Sequence, residues 1–147
     1  LEEYTGIHCG YCPDGHVIAG DIQASDPDRV ILVNIHAGSY AVPSGGEPDF
    51  RTAYGEDLAT QAGVTGYPAG AVNRHIFTGN TATSMSRSAW TNAADDILQE
   101  STPVNVGLES AWDSVTGELT INVEVYYTNS SNELTNSITS IAVVDST

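Results

Sequence analysis

Residues 1–13 read LEEYTGIHCGYCP, and this stretch decides the fold class of the N-terminal part of the chain. Its first seven residues are typical of a short strand, and residues 14–24 are typical of a helix. Pro13 suits the first turn of a helix, where its missing N–H costs nothing. The two cysteines, Cys9 and Cys12, are therefore expected where a strand passes into a helix.

The segments up to residue 100 alternate between strand and helix patterns, which predicts an α/β domain with a central mixed sheet. The apolar run VILVNI is typical of a strand that is buried on both faces. The predicted elements are a strand over 30–35, a Gly/Pro/Ser-rich excursion over 37–48, a helix over 49–62 that Gly63 closes, a strand over 69–77 and a helix over 88–100.

The pattern changes after Pro103, where apolar residues alternate with polar ones and no helix is predicted. Alternation over 104–108 predicts one strand, alternation from Leu119 to Tyr127 predicts a second, and Ile138 to Val144 predicts a third. We therefore expect two domains, 1–102 and 103–147. The second would be a small, sandwich-like antiparallel β module that is incomplete, because three strands alone are marginal as a fold.

Cys9 and Cys12 allow three interpretations. The first is a thiol–disulfide exchange site, since a helix N-terminus favours a thiolate. The second is a structural disulfide, although closing so short a loop stabilises a protein by only about 2 kcal/mol. The third is half of a zinc site completed by His8 and His16, although no second C-x-x-C unit follows. The strand-to-helix context favours the redox pair.

Charge excludes some partner classes. The chain has 19 acidic residues against four arginines and no lysine, a formal net charge of -15. Nucleic acids are bound through basic side chains, so we expect no nucleic-acid partner.

We also expect neither a bound metal nor a cofactor. No apolar run is long enough to span a bilayer, and the opening inside a strand pattern indicates a piece of a longer protein.

Two motifs carry a resemblance. The stretch LEEYTGIHCGYCP resembles the active-site segment of thioredoxin-like proteins, and VTGYP, residues 64–68, resembles their cis-proline loop. More narrowly, EEYTG, CGYCP, GYPAGAVNR and the all-β tail are similar to the outer membrane protein 28-related family of exported bacterial lipoproteins. The resemblance implies a three-layer thioredoxin-like domain and a location in the cell envelope, with any lipid anchor outside this sequence.

The resemblance also implies roles for five residues. Cys9 would be the attacking thiol and Cys12 the resolving thiol. Pro68 would be the cis-proline, with Tyr67 before it supplying main-chain contacts to an extended peptide. Tyr11 occupies one of the two variable positions of the motif, which adjust the redox potential in this superfamily.

Three acid–base candidates lie near the cysteines. Glu3 stands where thioredoxins carry a buried acid that exchanges a proton with the second thiol; otherwise it is a strand-edge glutamate. His8 would stabilise a thiolate if protonated, or would simply face solvent in a loop. His16 lies four residues after Cys12 and hence on the same helix face. A surface histidine is the simpler interpretation there.

The sequence therefore predicts a thiol–disulfide oxidoreductase of the cell envelope that exchanges disulfides with protein clients. The alternative is a non-catalytic binding module that keeps a thioredoxin-like frame on the surface of an outer-membrane lipoprotein. The sequence leaves the direction of exchange, the client and the oligomeric state open.

Overall fold

The computed structural model describes residues 1–130 and 137–142 of the chain. Two compact units are formed, Leu1–Gln99 and Glu100–Thr147. The first contains a four-stranded mixed sheet with helices, and the second contains a separate two-stranded antiparallel sheet. The predicted mixed α/β class is confirmed at this level.

The first unit is built on a sheet with the strand order β2-β1-β3-β4. Strand β1 is parallel to β2 and antiparallel to β3, which is antiparallel to β4. The strands are β1 (Glu2–Thr5), β2 (Val33–His36), β3 (Ala69–Ala71) and β4 (Ser84–Ser86), and the α-helices are α1 (Cys12–Ser25), α2 (Gly55–Ala62) and α3 (Trp90–Gln99). Single-turn 3₁₀ helices occupy Ser39–Ala41 and Arg87–Ala89.

Strand β1 has buried side chains on both faces of the sheet, because alternate residues of a strand point to opposite sides. Tyr4 faces α2, and Glu3 and Thr5 face α1. The α2-side cluster comprises Tyr4, Ile35, Ala37, Ala59, Ala62, Ala69 and Ala71. The α1/α3-side cluster comprises Ala19, Ile22, Val30, Val72, Trp90, Ala93 and Ala94. The sheet is thus covered by helices on both sides.

Helix α1 begins and ends where its sequence dictates. Pro13 lies in the first turn, and Asp14 places a carboxylate near the positive end of the helix dipole. The helix ends at Ser25, because Pro27 disfavours a helical conformation of the residue before it.

Two predicted elements are shorter than the sequence pattern indicated. The helix predicted over 49–62 begins only at Gly55, since the Asp49 carboxylate accepts hydrogen bonds from the backbone N–H and the guanidinium of Arg51 and holds a local turn. The strand predicted over 69–77 ends at Ala71, because Asn73 and Arg74 adopt positive φ angles of 51° and 49°.

The remaining strand boundaries in the first unit also differ. The strand predicted over 30–35 begins at Val33, and Val30 instead packs in the α1/α3-side cluster. Strand β4 was not predicted, because three residues of sequence SMS carry no strand periodicity.

The second unit is a long hairpin of β5 (Val104–Asp113) and β6 (Glu118–Tyr127). One face is apolar apart from Ser110, and it lies open or only half covered. We call this the hairpin's apolar face; it comprises Val104, Val106, Leu108, Trp112, Leu119, Ile121, Val123, Val125 and Tyr127.

The prediction of a later strand over 138–144 is wrong for residues 138–142. They form no strand, and the apolar side chains of Ile138 and Ile141 remain exposed there instead of pairing on the hairpin. Val143 and Val144 lie outside the described residues.

Each arginine forms an ion pair with a carboxylate. The pairs are Arg29 with Asp26, Arg51 with Asp49, Arg74 with Glu2, and Arg87 with Asp14. Within the described ranges, no helix has the length and apolar character needed to cross a membrane.

Helix α1 approaches the sheet most closely at Gly15, which provides a stability test. A Cβ atom there would lie 2.7 Å from Glu3 Oε1 and 3.2 Å from Pro68 Cβ, whereas a Cβ at Gly20 meets nothing within 4 Å. Both Gly→Ala changes gain up to about 1 kcal/mol of helix propensity. We expect Gly20→Ala to raise the free energy of unfolding, and Gly15→Ala to lower it by about 1–2 kcal/mol through overpacking.

Urea unfolding of the oxidised protein measures both effects. Equal stabilisation by the two substitutions would contradict the close approach of α1 to Glu3 and Pro68.

Candidate functional site

The turn between β1 and α1 holds Cys9 and Cys12 in a disulfide. Gly6 C=O accepts a hydrogen bond from the Cys9 N–H at 3.0 Å, and Cys9 C=O accepts one from the Cys12 N–H at 3.2 Å. The two Cα atoms are 5.4 Å apart. Cys9 keeps 7% of its surface exposed and Cys12 keeps 1%. Cys9 is therefore the more exposed residue of the pair.

The loop before β3 packs against the first turns of α1. The Tyr67–Pro68 peptide bond is cis. Pro68 Cβ and Cγ lie 3.2 Å from the point where a Cβ of Gly15 would be, so the proline ring contacts the helix one turn after Cys12. The structure thus places the proline loop and the disulfide at the same end of α1.

Tyr67 points its side chain toward the segment after β2. Its ring makes an edge-to-face contact with Tyr40, with centroids 6.1 Å apart, and lies over Gly38. Partial burial raises the pKa of the Tyr67 hydroxyl. Sequence reasoning assigned Tyr67 only main-chain contacts; the side chain additionally fixes the proline loop to residues 38–40.

Glu3 lies buried on the α1 side of β1. Its carboxylate Oε2 is 2.9 Å from His16 Nδ1, and among the described residues its Oε1 has no hydrogen-bond partner. Oε1 faces Gly15. Desolvation raises the pKa of Glu3, and the hydrogen bond to His16 opposes that rise. Glu3 is therefore an interior acid and not a strand-edge glutamate.

His16 proves to be the partner of that acid. Its side chain is 43% exposed, whereas that of Glu3 is 2% exposed, so the pair extends from the interior to the surface. His16 is thus partly exposed, as the sequence predicted, and in addition it contacts the buried acid. The signal in the sequence was the spacing of four residues from Cys12, which places both side chains on one helix face.

His8 contacts the excursion after β2. Its Nε2 lies 3.1 Å from Glu47 Oε2 and 3.3 Å from Ser44 Oγ, while its backbone N–H donates to Tyr40 C=O at 2.9 Å. The Ser44 N–H and the His8 ring both lower the pKa of Glu47. The excursion is thereby attached to the residue that precedes Cys9.

Tyr11 projects outward from the turn and is 71% exposed. The Arg87 guanidinium carbon lies 5.6 Å from the centre of its ring, a cation–π contact, and Arg87 also pairs with Asp14. Sequence reasoning did not single out Arg87, because it lies 75 positions away from Cys12 along the chain and no local pattern marks it.

A groove of about 360 Å³ opens beside the proline. Residues 65–69 form one wall and residues 84–87 the other. The groove brings together main-chain groups on both sides of Pro68 and the guanidinium of Arg87, which is suited to contact an extended peptide segment.

Two further buried polar atoms share the sheet face of Glu3. Thr5 pairs in register with His36 on the parallel neighbour β2, so both side chains lie on that face. Within residues 1–130 and 137–142, Thr5 Oγ1 and His36 Nδ1 lack hydrogen-bond partners. Burial, and the charge of nearby His16, lower the pKa of His36.

The zinc alternative finds no matching arrangement. In the part of the chain that the structure describes, no three His, Cys, Asp or Glu side chains are grouped to hold a metal ion. His8 and His16 are instead paired with Glu47 and Glu3.

No family model, curated protein or solved structure matches the chain.

The buried acid predicts a pH effect on stability. A carboxyl whose pKa is raised by folding costs stability once it ionises. We expect the free energy of unfolding of the wild type to fall, relative to Glu3→Gln, as pH rises from about 4.5, the ordinary glutamate value, through the folded pKa. The two curves should converge below that range, where Glu3 is protonated in both states.

Urea unfolding of the oxidised proteins between pH 4 and pH 9 checks this. Stability curves that run parallel throughout would mean that Glu3 is not desolvated.

Proposed function

We propose that this protein is a thiol–disulfide oxidoreductase whose unit Leu1–Gln99 is a thioredoxin-like domain. The single observation that carries the proposal is the Cys9–Cys12 disulfide at the start of a helix against which a proline loop packs. The sheet order β2-β1-β3-β4, with helices on both faces, is consistent with that fold.

The exchange would proceed in two steps. In the first, the Cys9 thiolate attacks one sulfur of a client disulfide, an S–S bond forms between Cys9 and the client, and the other client sulfur leaves and takes up a proton. In the second, the Cys12 thiolate attacks the Cys9 sulfur, re-forms the Cys9–Cys12 bond and releases the second client thiol. Two electrons pass from the dithiol to the client, and an external thiol reductant restores the dithiol.

The difference in exposure supports this assignment of roles. Cys9 is the more exposed residue of the pair and precedes the N-terminus of α1, where the helix dipole stabilises a thiolate. Cys12 is almost fully buried and is reached only by the sulfur beside it. An attacking thiol needs access to its client, and a resolving thiol does not.

The client would lie in the groove beside Pro68. An extended peptide there meets the backbone of residues 65–69, with Tyr67 held in place by Tyr40. Arg87 lines the groove and contacts the ring of Tyr11, which would therefore lie beside the client. Glu3 would act as the acid–base group for Cys12, for which a raised pKa is suited near neutral pH.

The wider setting belongs to the same proposal. The family resemblance supports a protein of the outer membrane protein 28-related type, exported to the cell envelope and anchored through lipid outside this sequence. A formal charge of -15 disfavours nucleic acids as partners and leaves protein thiols and disulfides as the clients.

Insulin reduction tests the activity. We expect the wild type with dithiothreitol to precipitate the insulin B chain faster than dithiothreitol alone, and Cys9→Ser to lose that acceleration completely. Cys12→Ser should retain the first step and accumulate a mixed disulfide with an insulin chain, visible by mass spectrometry without reductant.

Cys9→Ser is the matched control for this trap, because it keeps one cysteine of the pair. Absence of both catalysis and a trapped adduct would rule out the proposed reaction.

The second candidate is a non-catalytic binding module, and the hairpin's apolar face favours it. Exposed apolar surface of this kind often marks an interaction site.

The reduction potential of the Cys9–Cys12 pair separates the two functions. A value near about -120 mV indicates an oxidant and one near about -270 mV a reductant, whereas a value below about -300 mV indicates a disulfide that is purely structural.

A further inference from the structure

A single hydrogen bond connects the buried Glu3 carboxylate with a side chain that reaches solvent. Glu3 Oε2 and His16 Nδ1 are 2.9 Å apart, and the exposed fraction rises from 2% at Glu3 to 43% at His16. Both ring nitrogens of a histidine exchange protons readily near neutral pH. The pair is thus a short path for a proton between the core and the surface.

The inner end of this path faces the helix turn that carries Cys12. Glu3 Oε1, the oxygen that His16 does not contact, lies against Gly15 and has no hydrogen-bond partner among the described residues. Gly15 is three positions after Cys12 and therefore shares its helix face. The unpaired oxygen is directed toward the region of the resolving cysteine.

The other groups around the pair do not provide an equivalent path. From β2, His36 lies on the same face, close enough for its pKa to be lowered by His16. From β1, Glu2 lies on the opposite face and pairs with Arg74. From α1, Asp14 pairs with Arg87. The proline loop and β3 contribute Pro68 and Gly70, which do not titrate, and the α1/α3-side cluster is apolar.

We infer that His16 is a positioning residue that orients the Glu3 carboxylate and relays its proton to solvent when Cys12 resolves a mixed disulfide. The inference rests on the proposed function and deepens it. In the step, the Cys12 thiol gives its proton to Glu3 as its sulfur attacks Cys9. The bond between Cys9 and the client breaks, and the client sulfur leaves as a thiolate that takes up a proton from water. Glu3 then returns to the carboxylate by passing that proton through the His16 ring to water.

The physical need for such a relay follows from burial. A carboxyl group that is 2% exposed exchanges protons with water slowly unless a neighbour connects it to the surface. Glu3 can accept the Cys12 proton only as a carboxylate, and the hydrogen bond to His16 favours that form against the effect of desolvation. His16 is the side chain with a direct hydrogen bond to the carboxylate and an exposed ring.

A small disulfide probe separates the two thiol steps. Reduced protein mixed with dithiodipyridine releases one thiopyridone when Cys9 attacks and a second when Cys12 resolves the adduct, and stopped-flow absorbance follows both phases. We expect His16→Gln to leave the first phase unchanged and to slow the second about tenfold at pH 7. The difference in second-phase rate between His16→Gln and the wild type should shrink toward zero above about pH 9, where the thiol ionises without a base.

His75→Gln is the matched control, because it removes a histidine outside the site and should leave both phases as in the wild type. Glu3→Gln should slow the second phase at least as much as His16→Gln. The double variant should be no slower than Glu3→Gln alone, since the two residues act in series. Circular dichroism and urea unfolding check that each variant is folded.

Two results would overturn the relay. One is a second phase that is equal in the wild type and His16→Gln at pH 7. The other is a deficit of the same size at every pH, which would indicate a displaced Cys12 and not a lost proton path. Failure of the proposed function is recognised separately, by a wild type that shows both probe phases but neither reduces insulin nor forms a mixed disulfide with it.

Discussion

The central strand β1 is buried on both faces, with an apolar cluster on one side and polar side chains on the other. The rest of the first unit depends on this placement. Its neighbours β2 and β3 pair on both edges, and helices cover both faces. Because side chains alternate, Tyr4 enters the α2-side cluster while Glu3 and Thr5 enter the other face. Moving the register by one residue would put a carboxylate among the alanines of α2 and remove the acid from the cysteine helix.

Polar groups occupy one end of an otherwise apolar layer. The α1/α3-side cluster fills most of that layer with alanine, isoleucine, valine and tryptophan, but its end near the disulfide contains Glu3, Thr5 and His36. Buried polar atoms without partners cost stability. A layer that served only to hold the fold together would be expected to carry apolar residues there, so the polar end is consistent with the proposed exchange at the cysteines.

Local sequence patterns predicted the turns and helix ends that depend only on the conformational preferences of neighbouring residues. The C-x-x-C turn, the proline in the first turn of α1 and the closing of α2 by Gly63 follow from residue conformational preferences. The fold class was predicted, whereas β4 and the late start of α2 were not, because they depend on tertiary pairing and on the Asp49–Arg51 contact.

At the site, too, local features could be predicted from the sequence and tertiary contacts could not. The sequence predicted which residues flank the disulfide, but pairs formed across the fold, such as Arg87 with Tyr11 and Glu47 with His8, carry no signal in their spacing. His16 was predictable only in part. Its spacing placed it on the right helix face, and only the packing of α1 on β1 showed that its partner is Glu3.

The pairing of every arginine with a carboxylate also has a long-range consequence. None of the four guanidinium groups offers an isolated positive charge, so an approaching molecule meets a strongly negative net charge. Dissolved ions weaken such a field over about 8–10 Å at physiological strength. Encounter rates with acidic molecules should therefore rise with added salt, and those with basic molecules should fall, before any contact at the groove selects between them.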